Sequence, residues 1–259
     1  MTVKILKFKI NENELPVMII NLKKRSIISI PTQLGCAIGC TFCISSESSF
    51  VRNLKAKEMR LLVEFGLDHI TNKTALISFT GEGEPFLNLK QINEAMRMLH
   101  MRSDVDSFRL CTSGIKPVLF NDVKRYSVPV NIQLSLHSPF DEVRKKIIPK
   151  SKPISQILHE LKKSSANFDE IAINYVLMKG VNDSNKERDA LVNLIHPEWI
   201  VKFNPLLDEE KYQRSNKSED FAEALTSSGK RAVVYGIVGS KISNGLYGNL
   251  THSKNNRVA

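Results

Sequence analysis

Apolar residues recur along this chain in two rhythms, and the switching between them predicts the architecture. From Val3 to Ile10 apolar and polar positions alternate, Asn11, Glu12 and Asn13 supply a turn, and Pro16 to Ile20 resumes the apolar character. Short β-rich apolar runs follow at 26–30, 75–79, 108–111, 130–136, 171–177, 200–203 and 232–235. Between them stand residues at helical spacing. Met59, Leu62, Val63 and Ile70 mark one helix, and Ile92, Ala95, Met96 and Leu99 the next. Leu158 and Leu161 mark a third, and Phe221, Ala222 and Leu225, stopped by Gly229, a fourth. Nearly wholly apolar strands alternating with helices read as βα units around a parallel sheet. The expected class is α/β, a partial or full βα barrel. The expected divisions are a β extension over 1–25, the barrel over 26–250 and a flexible tail over 251–259.

Composition narrows this picture only a little. The chain has 259 residues, enough for one sizeable core. No uninterrupted apolar run approaches the ~18 residues of a membrane span. The lysine-bearing start lacks the apolar centre of a signal peptide, so the expected location is the cytoplasm, without membrane attachment. A formal net charge of +10 suits a polyanion such as RNA or a phosphorylated nucleotide, and it equally suits a solvated basic surface. No internal repeat stands out.

In a βα barrel the chemistry gathers beyond the C-terminal ends of the strands. Those ends fall at 35–43, 80–85, 111–114, 135–139, 178–183 and 204–205, where most of the unusual residues of the chain lie. Gly35-Cys36-Ala37-Ile38-Gly39-Cys40-Thr41-Phe42-Cys43 holds three of the four cysteines in the chain, spaced C-x3-C-x2-C. So few cysteines do not make a disulfide framework, and their clustering suits a metal site. Thiolates bind iron–sulfur clusters, and Gly35 and Gly39 permit the tight turns that let neighbouring thiols wrap one cluster. A full ligand set would be four, so three leave one iron open. The alternatives are a zinc site, whose fourth ligand is not nearby in sequence, and three buried unligated thiols, which leave the spacing unexplained.

This loop after a first barrel strand resembles the radical S-adenosylmethionine (SAM) superfamily. The resemblance implies a 4Fe-4S cluster on Cys36, Cys40 and Cys43. Its open iron would be chelated by SAM, which on reduction is cleaved to methionine and a 5′-deoxyadenosyl radical. An external electron donor such as flavodoxin or ferredoxin is implied as well. Phe42 fits the aromatic usual before the last cysteine, and Thr80-Gly81-Glu82-Gly83-Glu84-Pro85 resembles the Gly-Gly-Glu-type motif that meets the SAM amino end. The implied fold is α/β, a partial (β/α)6 TIM-like barrel of radical SAM type with a short N-terminal β extension.

Further segments resemble the branch that methylates ribosomal RNA adenine at C2 or C8. They include Arg52-Asn53-Leu54, Asn88-Leu89, Thr112-Ser113-Gly114 and Ser135-Leu136-His137, then Arg144, Gly180-Val181-Asn182-Asp183, Phe203-Asn204-Pro205, Tyr212 and Arg214-Ser215. By that resemblance Gly83, Glu84, Cys111, Ser135, His137 and Asn204 would bind SAM. The branch also uses two further cysteines for methyl transfer. Ser29 stands at the place of the first and Tyr247 most nearly at the second, and an alcohol or phenol is a far poorer nucleophile than a thiolate. The chain also starts at the strands leading into the barrel, where the branch carries an RNA-holding domain, so a smaller substrate or a different grip on RNA is expected.

Single residues carry competing readings. Cys111 suits packing as well as the SAM pocket. His137 suits acid–base work or, by the resemblance, a wall of that pocket. Asn182 and Asp183 suit a helix cap or a substrate contact. Glu82 and Tyr247 are the candidate catalytic residues, Glu82 otherwise being solvent-exposed. Tyr212 and Arg214 suit a base and a phosphate or an ordinary loop surface, and Trp199 suits the core. The expected function is radical chemistry on a nucleoside, nucleotide or related small substrate, by cleavage or modification. The alternatives are an RNA adenine methyltransferase-like enzyme with an altered mechanism, and a zinc-stabilised nucleic-acid-binding module.

Overall fold

A computed structural model describes residues 1–47, 49–207 and 209–236. The chain opens with a hairpin of β1 (Thr2–Ile10) and β2 (Asn13–Asn21), turned at Asn11 in the left-handed region, and β2 pairs antiparallel with β3 (Ser26–Ile30). Two short strands, β4 (Gln33–Leu34) and β5 (Arg52–Asn53), pair antiparallel and clamp both ends of the segment that contains the cysteines. The βα succession then runs α1 (Ala56–Leu67), β6 (Ala75–Phe79), α2 (Leu89–Leu99), β7 (Val105–Thr112), β8 (Val130–Ser135), α3 (Asp141–Ile147) and α4 (Ile154–Lys163). It finishes with β9 (Glu170–Val176), α5 (Asn185–Leu194), β10 (Ile200–Asn204), α6 (Ser218–Ser227) and β11 (Arg231–Val234).

The strand order is β1-β2-β3-β6-β7-β8-β9-β10-β11, parallel from β3 onward. The expected βα units are therefore present, and the short β11 adds a seventh parallel strand. Among the described residues the sheet ends at β1 and β11 rather than closing on itself, which makes the barrel a partial one there.

The two faces of this sheet differ. Ile28, Ile77, Phe79, Phe108, Leu110, Ile132, Ile173 and Val201 pack with Met59, Leu62, Ile92, Met96, Ile157, Leu161, Leu191, Phe221 and Leu225 from the helices in one core. Burying a side chain of this size contributes about 1.5–3 kcal/mol, which drives the helices onto that face. Alternate positions point to the opposite face and carry Ser29, Ser78, Arg109, Cys111, Gln133, Asn174 and Lys202.

Helix details depart from the apolar spacing in two ways. First, α1 stops at Leu67, so Ile70 lies in the turn beyond it. Second, α3 and α5 carry little of an apolar stripe: Leu191 is the one buried apolar side chain of α5.

Candidate active site

The cysteine loop is held from several sides. Gly35 takes φ 72°, and a Cβ there would fall 2.0 Å from the Ser49 carbonyl oxygen, so only glycine fits; Gly39 takes φ 74°. The Gly35 N–H donates to Glu82 Oε1 at 2.6 Å. The Thr41 N–H donates to the Ile147 carbonyl at 2.9 Å, its hydroxyl meets Tyr212 Oη at 2.9 Å, and Lys150 Nζ donates to the Ala37 carbonyl. Phe42 stands edge-on to His137, ring centroids 4.8 Å apart. Beneath the loop Ile38, Ile147, Ile148, Val176, Met178 and Leu206 form a small apolar cluster against which Cys36 and Cys40 pack.

That environment suits an iron–sulfur cluster. Burial pushes the Cys36 thiol up to about 11, and the Glu84 and Cys43 charges push the same way. Burial first, then Cys43 and Cys36, push Cys40 well above the usual thiol range. The charges of the neighbouring thiolates thus raise Cys36 and Cys40, and a cationic metal core would relieve that repulsion while deprotonating them. A zinc ion needs all its sulfurs at about 2.3 Å from one point, whereas a cluster takes each thiolate on a different iron. Three thiolates fit a cluster with one iron left open, whereas a structural zinc takes four ligands.

The strand ends beside the loop hold the residues expected to bind SAM. Gly83 takes φ 100°, and a Cβ there would lie 2.7 Å from Thr32 Oγ1 and from Gln33 Cγ, so the bare backbone is what allows this approach. Glu84 is buried, and its carboxylate is filled from within: Oε1 accepts from the Thr112 hydroxyl and from the Phe86 N–H at 3.0 Å, and Oε2 from the N–H and hydroxyl of Ser113 at 2.8 and 2.7 Å. A carboxylate has about four acceptor sites, so Glu84 joins the loops after β6 and β7 with no site to spare.

His137 is buried at φ 61°, its Nδ1 accepting from the Val176 N–H at 3.1 Å. Burial, with the Arg144 charge adding, lowers its pKa to about 3, which keeps the ring neutral and favours the pocket-wall reading over acid–base work. Ser135 at the end of β8 pairs in register with Asn174, two residues before the end of β9, and Asn204 Nδ2 donates to Asn174 Oδ1 at 2.5 Å. Cys111 sits lower on β7, half-buried, its Sγ 4.0 Å from Ser78 Oγ; burial raises its thiol.

Several single-residue readings change. Glu82 is 1% exposed and holds the cysteine loop, so it is not a surface residue. Asn182 and Asp183 do not cap α5, because Ser184 does so by accepting from the Glu187 N–H at 3.1 Å. Asn182 instead bonds the His137 and Val176 carbonyls at 2.5 and 2.8 Å, and Asp183 binds the Ser215 hydroxyl at 2.7 Å. Arg214 donates to the Leu206 carbonyl at 2.7 Å and pairs with Glu209. Trp199 lies in the core. Tyr247 lies outside the described residues.

Arg144 is the residue that sequence reasoning undervalued. Fully buried, it donates to the carbonyls of Leu136, Ser113 and Ser135 at 3.0, 2.6 and 3.1 Å. Burial lowers its pKa to about 10, still well above neutrality. An arginine just inside a short helix among lysines carries no sequence signal of that burial.

Fold and loop together define a SAM-dependent radical protein. The Radical SAM superfamily model matches residues 30–193, and the chain belongs to that superfamily, whose members use a 4Fe-4S cluster and SAM. Its relatives include the probable dual-specificity RNA methyltransferase RlmN of Clostridioides difficile (strain 630), 28% identical over 89% of this chain and 71% of the relative. The ribosomal RNA large subunit methyltransferase Cfr of Clostridium botulinum (strain Langeland / NCTC 10281 / Type F) is 31% identical over 83% of this chain and 66% of the relative. The chain spans 50% to 71% of the length of the first curated relatives it matches. A radical SAM methyltransferase from Sphaerobacter thermophilus superposes with a TM-score of 0.81 at 23% identity, covering 93% of this chain and 79% of that one, which shows the shared fold. These sequence relatives carry methyltransferase names, so they favour the methyl-transfer alternative over the lyase chemistry expected from the missing cysteines. No described helix is long and apolar enough to cross a membrane.

Proposed function

We propose that the chain is a radical SAM enzyme that modifies an adenine base, carried by RNA or by a smaller nucleotide, with transfer of the SAM methyl group as its reaction. The observation that carries the reading is the convergence of Cys36, Cys40 and Cys43 with the backbone of Gly83 and the ring of His137 at one end of a parallel sheet. The names of the relatives supply the direction from there. Cys36, Cys40 and Cys43 would hold the cluster, which when reduced supplies the electron that cleaves bound SAM. Glu82 fixes the loop through Gly35, Phe42 and His137 wall the pocket, and the small apolar cluster packs against Cys36 and Cys40. The electron would come from an external donor of the flavodoxin or ferredoxin kind.

Ser29 favours a second reading. It is 3% exposed on β3, beside Ser78 in register, and its alcohol does not take a methyl group from a sulfonium as a thiolate does. In that reading the radical acts on the substrate directly and nothing is methylated. Anaerobic reconstitution with iron and sulfide, then dithionite and methyl-labelled SAM with RNA or adenine nucleotides, separates the two. S-adenosylhomocysteine with label in the substrate supports methyl transfer, and 5′-deoxyadenosine alone supports the second reading. Neither product from a loaded cluster would remove the enzyme reading altogether.

A further inference from the structure

The helix-free face of the sheet is unusually charged. Register places Ser29, Ser78, Arg109, Asn131 and Glu170 in one row across β3, β6, β7, β8 and β9. In most βα barrels such rows are filled by branched apolar side chains that pack the interior. Here Lys202 on β10, only 6% exposed, reaches Glu170 with Nζ 2.6 Å from Oε1. Arg109 senses the same group: its charge acts on Glu170, Lys202 and Cys111 alike. One carboxylate is therefore paired with Lys202 and also lies within the field of Arg109.

Glu170 is hydrogen-bonded to Lys202, and Arg109 Nε is buried with no hydrogen-bond partner. A buried guanidinium N–H left unfilled is costly and calls for an acceptor. We propose that this acceptor is the phosphate of a free mononucleotide substrate, bound by Arg109 with Lys202 beside it. This rests on the adenine-modifying reading above and chooses the small nucleotide over RNA.

Depth supports that choice. Arg109 lies three residues below Thr112, the end of β7, or about 10 Å at ~3.3 Å per residue. A base near the cysteine loop would then project its phosphate down the inner face. A terminal phosphate can descend there alone, whereas the phosphates of a polynucleotide must continue outward on both sides. Arginine's planar fork suits two phosphate oxygens, and a neighbouring ammonium adds a point charge.

The test is titration calorimetry on the reconstituted full chain with SAM present, using adenosine 5′-monophosphate, adenosine, adenosine 5′-carboxylate and inorganic phosphate. We expect the monophosphate to bind at least tenfold more tightly than adenosine or the carboxylate, with inorganic phosphate competing for the site. Arg109→Gln should erase that advantage and Arg109→Lys should restore part of it. Iron content and melting temperature establish that the variants fold, and phosphate competition in the unaltered chain decides the matter if they do not. Equal affinity for adenosine and its monophosphate, preference for the carboxylate, no binding, or an unchanged ratio in Arg109→Gln would each overturn the proposal. Formation of 5′-deoxyadenosine by the unaltered chain without nucleotide reads the radical SAM assignment separately.

Discussion

His137 is held in a conformation few non-glycine residues adopt, its Nδ1 accepting from the Val176 N–H and its carbonyl accepting from Asn182. A ring kept neutral by burial, with a pKa of about 3 in the folded chain, binds fewer protons there than in the unfolded chain. Its contribution to stability is therefore complete above the unfolded value near 6.5 and is lost as pH falls from there towards 3. Urea titrations at pH 7 and pH 5 should show a falling midpoint, and His137→Asn should flatten that fall; an equally steep fall in the variant would contradict the assignment. Glu82 offers a second test at this scale. Glu82→Ala removes the acceptor of the Gly35 N–H and should cost about 1–3 kcal/mol, read as a lower melting temperature together with poorer iron retention. If the melting temperature and iron content stayed unchanged, the carboxylate would not be holding the loop.

Elements set where these residues stand. The strand runs were legible because their helix-facing positions are apolar without a break, as Ala75, Ile77 and Phe79 are. Helix α5 was not, because Leu191 is its one fully buried apolar side chain, with Val192 and Leu194 only partly buried against the core. Arg144 joins β7 to β8 by bonding the carbonyls at their ends, a function with no periodicity to betray it. Arg144→Met leaves three buried carbonyls without that donor and should lower the unfolding free energy by about 3 kcal/mol, at about 1 kcal/mol each. Chemical denaturation measures it, and a loss below half that size would mean other donors replace the guanidinium. Gly83→Ala acts on the loop after β6, where φ 100° and the contacts at 2.7 Å leave no room for a methyl group. Strain of about 1–3 kcal/mol should follow, seen as a lower melting temperature than that of Gly180→Ala, whose added Cβ meets nothing within 4 Å.

At the scale of the whole molecule, the candidate site was readable because spacing and strand order agree: the cysteine loop, the Gly83 turn and the His137 turn follow β3, β6 and β8 and meet at one end of the sheet. The charged inner face was not readable, since Arg109 and Lys202 are far apart in sequence and only register brings them to the same face. The central assignment is open to one decisive substitution. Cys40 lies in the middle of the three thiols and packs on the apolar cluster beneath the loop, so its removal leaves two thiolates where a cluster needs three. Cys40→Ala should lose both bound iron and sulfide after anaerobic reconstitution, and with them 5′-deoxyadenosine formation. Cys111→Ser, changed outside the loop, should keep its iron. Zinc in place of iron in the unaltered chain, or SAM cleavage surviving in Cys40→Ala, would sink the assignment. A cluster that persists in Cys111→Ser and vanishes in Cys40→Ala would locate the metal at the loop rather than at any thiol in the chain.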